Sequence, residues 1–305
     1  MESEVTVIIP IHNGEKYIGR CIQSILNQSY KKVEVLIIND NSDDSSESVV
    51  KEYQLSANNI RYIKNSETLG PAKTRNIGLQ HAKTKYILFL DCDDWIDLNC
   101  IEKAISKFET DSAIDVVVWE IKTAYYYNKI SSRYEYLYNN VLTSTMALNL
   151  LSHTIENEFF LSPLLGCKLI KKSLLDNHKI VFPDTIYEDD MFTYLIFLYS
   201  KKVALVTGSC LYYYQHSESL THCFKEKNIY DFFLTFQMLY HYIADEEKET
   251  YYRFLDKSLK SMINNMISNT HDPEMQKYFK TIIFNCFYKN IKIEEYYTYS
   301  FSITI

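Results

Sequence analysis

Glycine is scarce in this chain, with six residues among 305. Because glycine adopts backbone conformations that other residues avoid, each one in so glycine-poor a chain is expected at a turn or a close approach. The sequence also has no proline- or glycine-rich linker, no low-complexity stretch and no internal repeat. We therefore expect one globular unit, and 305 residues suffice for an ample core.

The chain also lacks an excess of positive charge, a membrane-spanning run and regularly spaced cysteines. Its net charge of −7 argues against a nucleic-acid binder that works by neutralising phosphates. The seven cysteines show no CxxC or zinc spacing, which indicates a reducing compartment. The acidic start, Met1 to Glu4, leads directly into a predicted strand, which argues against a secretory leader. No segment has the apolar length of a membrane span, so we expect a cytoplasmic protein with at most peripheral membrane contact.

Strands alternate with helices in the first third of the sequence. Apolar runs predict strands at 5–9, 33–38, 60–63 and 86–90, with helices between them. This alternation predicts an α/β fold with a mostly parallel sheet and right-handed crossovers. After residue 97 the regular alternation of strand and helix ends. The pattern there predicts a helix at 101–108, a strand at 114–119, a tyrosine-rich loop or hairpin over 122–140, helices at 146–153 and 191–198, and helical structure over 230–288.

The stretch from Tyr86 to Trp95 is the most informative one. Five apolar or aromatic residues predict a buried strand, and Asp91, Asp93 and Asp94 follow where it leaves the sheet. Clustered carboxylates repel one another, so a cation is the natural compensation, and oxygen ligands suit Mg²⁺ or Mn²⁺. The alternative is a solvated acidic turn after a core strand.

Other polar residues also follow predicted strands. Pro10 and Asn13 come after the first strand, Asp40 after the second, and Arg75 lies early in the helix that Pro71 opens. The carboxyl ends of parallel strands face one crevice. A carboxylate for the base or ribose, an arginine and a cation cluster would suit a nucleoside diphosphate.

These segments together resemble the family-2 glycosyltransferases with the GT-A fold. The matching segments are 7–13, 24–28, 34–44, 69–78 and 89–95. The resemblance implies an inverting transfer of a sugar from a nucleotide-sugar donor, usually a UDP-sugar, to an acceptor hydroxyl. It implies that Pro10, Asn13, Asp40, Arg75 and Asp91 line the donor site, and that Asp93 binds Mn²⁺ or Mg²⁺, with Asp91 beside it. Asn39 and Thr74 replace an aspartate and an alanine that are usual there, and Cys167 replaces an aromatic residue or asparagine on the acceptor side.

On this resemblance we divide the chain into three parts. Residues 1–225 would form the GT-A domain, with a nucleotide-sugar-binding half at 1–110 and an acceptor-binding half at 111–225. Residues 226–305 would form a helical C-terminal extension. Its lysines, at 257, 260, 277 and 280, lie among apolar residues. This pattern fits either a helix pair facing a membrane that presents a lipid-linked acceptor, or an ordinary amphipathic pair.

An inverting transfer also needs a general base. The acidic cluster Glu188, Asp189 and Asp190 opens an apolar helix and resembles the family's Glu-Asp motif, which implies that Asp189 is the base beside Glu188. The alternative is that these acids only complement the positive end of a helix dipole. The segment 212–221 resembles a closing loop of such enzymes, in which His216 would be a further metal ligand or an ordinary hydrogen-bonded histidine.

The leading hypothesis is an enzyme that extends a glycan in surface polysaccharide, O-antigen or lipooligosaccharide synthesis. It would be cytoplasmic, with a glycan or lipid-linked acceptor and a peripheral place on the inner face of the membrane. One alternative is a sugar-phosphate nucleotidyltransferase, which usually needs a glycine-rich phosphate loop that the segment 10–16 lacks. Another is a catalytically silent glycan-binding subunit, which would be expected to have lost the acidic motifs. The sequence does not reveal the donor sugar.

Overall fold

The computed structural model describes residues 2–125, 129–134, 140–152, 160–216, 224–270 and 272–290. The strands are β1 (Val5–Ile11), β2 (Val33–Asn39), β3 (Ile60–Lys64), β4 (Tyr86–Phe89), β5 (Trp95–Ile96), β6 (Ile114–Tyr125), β7 (Lys129–Tyr134), β8 (Val141–Thr143), β9 (Lys168–Lys171) and β10 (Lys202–Gln215). The helices are α1 (Ile18–Leu26), α2 (Ser46–Ser56), α3 (Pro71–His81), α4 (Cys100–Thr110), α5 (Ser144–Leu151), α6 (Lys172–His178), α7 (Glu188–Tyr199), α8 (Glu226–Tyr240), α9 (Lys248–Asn269) and α10 (Pro273–Asn290). The predicted α/β fold with a helical C-terminal region is confirmed.

One sheet organises the molecule, with its strands in the order β3-β2-β1-β4-β9-β6-β10-β5. The first four strands in this order pair in parallel, as the alternating pattern predicts. Beyond them β9 is antiparallel to both β4 and β6, so parallel pairing does not extend across the whole sheet. The tyrosine-rich stretch does form a hairpin, because β7 pairs antiparallel with β6.

The parallel part of the sheet has a continuous apolar core. Strands β1 and β2 are buried along almost their whole length, which explains their near-continuous runs of valine and isoleucine. Helix α3 lies against this sheet so closely that a Cβ on Gly78 would be 2.4 Å from Cγ2 of Ile8. Its start is set by Gly70, whose φ of +87° favours glycine, followed by Pro71 at the first helical position.

The C-terminal helices pack onto the rest of the fold. Phe232, Phe236 and Phe254 are fully buried, and Tyr194 of α7 lies 5.2 Å from Phe254 of α9 between ring centroids. Within the part of the chain that is described, none of the helices is both long enough and apolar enough to span a bilayer.

Candidate active site

Arg75 of α3 is a buried cation at the centre of a cluster of three carboxylates near the carboxyl end of β4. Its Nη2 donates to Oδ1 of Asp91 at 2.7 Å, and its Nη1 donates to Oε1 of Glu188 at 2.7 Å. The same Nη1 lies 3.4 Å from Oδ1 of Asp189, which is too long and poorly aligned for a good hydrogen bond. The fold thus brings the predicted donor residues Arg75 and Asp91 together with the predicted base.

Burial raises the proton affinity of both acids on α7. The Arg75 side chain is 5% exposed, that of Glu188 8% and that of Asp189 25%. Desolvation raises the pKa of Glu188, and it raises the pKa of Asp189 well above its ordinary value, although Arg75 opposes both shifts. A carboxylate with a raised pKa is a stronger base, so Asp189 is suited to accept a proton. Glu188 is more deeply buried and its carboxylate is bound to Arg75, which favours a supporting role.

Two polar atoms of this cluster have no hydrogen-bond partner. They are Nε of Arg75 and Oδ1 of Asp189, and both are buried. Unsatisfied buried polar atoms are rare and costly, and in a cleft they mark places where a substrate group or water would bind. The cluster therefore offers one free donor and one free acceptor at the place where the base is predicted.

Asp93 and His216 form a second polar group beside this cluster. Nε2 of His216 lies 3.0 Å from Oδ2 of Asp93, and its Nδ1 lies 3.3 Å from the Tyr17 hydroxyl. Burial and the neighbouring Asp91 raise the pKa of Asp93, which His216 opposes. The two side chains are therefore hydrogen-bonded to each other, and their predicted binding of a metal ion stays a prediction.

The fit of these residues to a divalent cation is partial. Asp93 and His216 supply the oxygen and nitrogen donors that Mn²⁺ accepts, and they converge on one place. Asp91 is bound to Arg75 instead, and in the described ranges no three His, Cys, Asp or Glu side chains are grouped as a metal site. A cation there would need other ligands, such as the phosphates of a nucleotide.

Asp94 and Arg20 hold the loop that carries Asp93. Asp94 is buried, and its Oδ1 accepts from the backbone N–H of Tyr214 at 2.8 Å, which ties the loop to β10. The guanidinium of Arg20 lies 3.8 Å from the Trp95 ring and 4.5 Å from the Tyr214 ring. It also donates to the backbone carbonyl of Asp93 at 2.7 Å. Sequence analysis predicts no role for Arg20, because an arginine on an amphipathic helix carries no such signal.

Asp40 contacts the loop before α3. Its Oδ1 accepts from the Asn65 side chain at 2.8 Å and from the backbone of Leu69 at 2.9 Å, and its Oδ2 accepts from the backbone of Gly70 at 2.8 Å. The carboxylate therefore holds the start of the helix that carries Arg75. Its predicted contact with the nucleotide would have to share these donors, and it stays a prediction.

Pro10 and Asn13 lie at the same edge of the sheet. Pro10 is half-buried near the end of β1, next to Ile38 on β2. Asn13 has a φ of +53°, and its Oδ1 accepts from the backbone of Asp43 at 3.0 Å. It thus links the turns after β1 and β2, and its predicted donor contact is likewise untested.

The contacts of Asn76 were not predicted from the sequence. Its side chain makes two hydrogen bonds of 2.9 Å with the backbone of Phe182, one to the carbonyl and one from the N–H. Phe182 in turn stacks on Phe192 of α7 with centroids 3.9 Å apart. Arg75 and Asn76 together fix the segment that leads to Asp189. The resemblance included Asn76 in a matching segment, but gave no hint of its partner.

Comparison with known proteins identifies the family. A family model described as Glycosyl transferase family 2 matches residues 6–165, just over half of the chain. The chain belongs to glycosyltransferase family 2. The matched region includes Asp40, Arg75, Asp91 and Asp93, whereas Asp189 and His216 lie beyond it.

Individual relatives agree with this family. Glycosyltransferase GlyA of Streptococcus pneumoniae is 30% identical over 233 residues, which is 74% of this chain and 33% of GlyA. Poly(ribitol-phosphate) beta-N-acetylglucosaminyltransferase TarS of Staphylococcus aureus is 26% identical over 212 residues, 68% of this chain and 35% of TarS. This family-2 chain therefore spans about a third of the length of these curated relatives.

Solved structures show the same fold. The structure of residues 1–349 of S. aureus TarS with UDP-GlcNAc has a TM-score of 0.75 at 20% identity, covering 95% of this chain and 82% of that one. The mannosyltransferase PcManGT from Pyrobaculum calidifontis, solved with GDP-Man and Mn²⁺, has a TM-score of 0.61 at 14% identity, covering 96% and 88%. At these identities the likeness establishes the GT-A fold alone.

Proposed function

We propose that this family-2 protein is an inverting glycosyltransferase that moves a sugar from a nucleotide-sugar donor to an acceptor hydroxyl of a growing glycan. The observation that carries the proposal is the Arg75 cluster, which places Asp91 at the carboxyl end of β4 and Asp189 on the same guanidinium. The names of the relatives support the class of donor and acceptor. TarS has been solved with UDP-GlcNAc and is named for transfer to a poly(ribitol phosphate), so a UDP-sugar and a surface polymer are the first candidates.

In this proposal Asp189 takes the proton from the acceptor hydroxyl. The hydroxyl oxygen then forms a bond to the anomeric carbon from the face opposite the leaving group. The bond from that carbon to the diphosphate oxygen breaks, and the electron pair leaves with the nucleoside diphosphate. The raised pKa of Asp189 favours this proton transfer, and Arg75 stabilises the carboxylate before it occurs.

We further propose that Asp93 and His216 hold Mn²⁺ or Mg²⁺ together with the donor diphosphate. A bound cation would neutralise the negative charge that develops on the departing diphosphate. The complex of PcManGT with GDP-Man and Mn²⁺ supports metal use within this fold. The hydrogen bond between His216 and Asp93 would have to open to admit the ion.

Contact with a membrane surface is a weaker part of the proposal. Lys277 and Lys280 are exposed on α10 and could face anionic lipid. Lys257 instead donates to the carbonyl of Leu151 at 2.5 Å, and Lys260 pairs with Asp256. Of the four lysines in the sequence pattern, Lys277 and Lys280 are therefore available to a membrane surface, whereas Lys257 and Lys260 contact groups within the fold.

Calorimetry with UDP, with and without Mn²⁺, tests the proposal together with hydrolysis of a panel of UDP- and GDP-sugars. We expect Mn²⁺-dependent UDP binding, which Asp93→Ala abolishes. We expect Asp189→Ala to bind UDP normally but to lose transfer, with a fall of at least about 100-fold. Asp176→Ala, on the surface of α6, is the matched control and should leave both unchanged. The absence of UDP affinity under either condition, or full activity in both variants, would refute the proposal.

A further inference from the structure

The segment that leads into α7 is held by α8. Oδ2 of Asp231 accepts from the backbone N–H of Ile186 at 3.1 Å, and the hydroxyls of Thr235 and Thr185 lie 2.7 Å apart. Both threonines are buried. These contacts fix the chain a few residues before Asp189.

The first turn of α7 is also held by α9, through Asp190. The hydroxyl of Ser258 donates to Oδ1 of Asp190 at 3.2 Å. Lys257 faces the same carboxylate, while its Nζ donates to the carbonyl of Leu151 at the end of α5. The charged and titratable groups near Asp190 include Lys257 from α9, Glu188 and Asp189 from its own helix, and Tyr187 just before that helix.

Asp190 does not contact Arg75, and its position carries a desolvation cost for the charged carboxylate. Burial raises the pKa of Asp190 to about 6, although Lys257 and Ser258 both oppose the shift. An acid that only complemented the helix dipole would do so equally well in solvent, without this desolvation cost. Asp190 is desolvated although it is only half-buried, and this placement calls for a reason other than helix stability.

We infer that Asp190 is a positioning residue, through which Ser258 and Lys257 of α9 orient the first turn of α7 so that Asp189 faces Arg75. The inference rests on the proposed function, in which Asp189 is the base. The inference gives the C-terminal helices a role in the site, because α8 and α9 both form hydrogen bonds with the segment 185–190. Loss of the bond between Asp190 and Ser258 would free the turn, and a displacement of about 1 Å at a reacting group can cost about 100-fold in rate.

The test uses Ser258→Ala, Asp190→Ala and the double variant in the full chain. We expect each single variant to lower kcat by about 10- to 100-fold while the affinity for UDP stays within about twofold, since the donor residues are untouched. We expect the double variant to lose no more than the larger single loss, because both changes remove the same contact. Amide hydrogen exchange over 185–191 should accelerate in all three variants.

Arg253→Ala is the matched control, since Arg253 lies on α9 and pairs with Glu249, and these side chains are 37% and 53% exposed. It should leave kcat and amide exchange at wild-type values. If the wild type is active and the single variants keep kcat within about twofold, or if their losses multiply in the double variant, the inference is wrong. If the wild type uses no nucleotide sugar, the proposed function fails. In that case amide hydrogen exchange still tests whether Asp190 and Ser258 anchor the first turn of α7. Exchange rates over 185–191 that are the same in the variants and the wild type would show that they do not.

Discussion

The proposed donor side and the proposed base side of the candidate site are built in different ways. On the donor side, strands β1, β2 and β4 end at one edge of a parallel sheet, and the polar residues that follow them lie between positions 10 and 94. On the base side, Asp189 is placed by contacts across 106 to 113 residues, from Asn76 to Phe182 and from Arg75 to Glu188. The donor side therefore depends on local strand-to-turn geometry, whereas the base side depends on tertiary packing. Arg75 is where the two meet.

The largest effect is expected from Arg75→Ala, because the change removes the cation shared by both sides. It leaves Asp91, Glu188 and Asp189 without their common partner, and such a loss at a buried ion pair costs about 3–5 kcal/mol of the free energy of unfolding. Urea denaturation followed by tryptophan fluorescence at pH 7 measures this. Arg61→Ala is the control, since Arg61 is 42% exposed and pairs with Glu34 at 3.4 Å, and it should cost less than about 1 kcal/mol. Equal losses in the two variants would contradict the central place of Arg75.

A smaller effect, confined to the donor side, is expected from Gly78→Ala. The added methyl group would lie 2.4 Å from Cγ2 of Ile8, so helix α3 has to move away from β1. We expect the free energy of unfolding to fall by about 1–3 kcal/mol, even though alanine favours a helix. In Gly19→Ala the new Cβ would be 3.4 Å from the Tyr53 hydroxyl, an ordinary contact, so this control should be neutral or slightly stabilising. A stabilised Gly78→Ala protein would show that the packing of α3 is looser than described.

The smallest effect concerns the base side and depends on pH. The pKa of Asp190 is about 6 in the fold and close to 4 in an unfolded chain, so the folded state binds the proton more tightly. The stability that this proton contributes is therefore complete below about pH 4 and is lost as the pH rises through about 6. Asp190→Asn cannot lose a proton. The free energy of unfolding of this variant, relative to wild type, should therefore rise by about 1–2 kcal/mol between pH 4 and pH 7. A difference that stays constant over this range would contradict the desolvation of the Asp190 carboxylate.

The donor side could be predicted from the sequence because strand ends and turns are encoded locally. The strand over 86–90, its acids and the start of α3 at Pro71 all lie within two residues of the prediction. The partners of Arg75 and Asp40 could not be predicted, because they depend on which distant segments meet. Asp40 contacts the turn before α3, and Arg75 contacts an acid 113 residues away. The antiparallel insertion of β9 between β4 and β6 was missed for the same reason, since no local pattern reveals the neighbours of a strand. The loop predicted after His216, the tyrosines at 126, 127, 136 and 138, and the extension beyond residue 290 lie outside the described residues.

The clamp between Asn76 and residue 182 has a consequence for how this chain can vary. Both hydrogen bonds go to backbone atoms, so the clamp does not depend on which side chain stands at position 182. The two hydrogen bonds therefore tolerate any residue other than proline at position 182, provided that Asn76 is kept. An engineer who wishes to graft another acceptor loop onto this scaffold needs to match a pair of peptide groups, and not a pair of side chains.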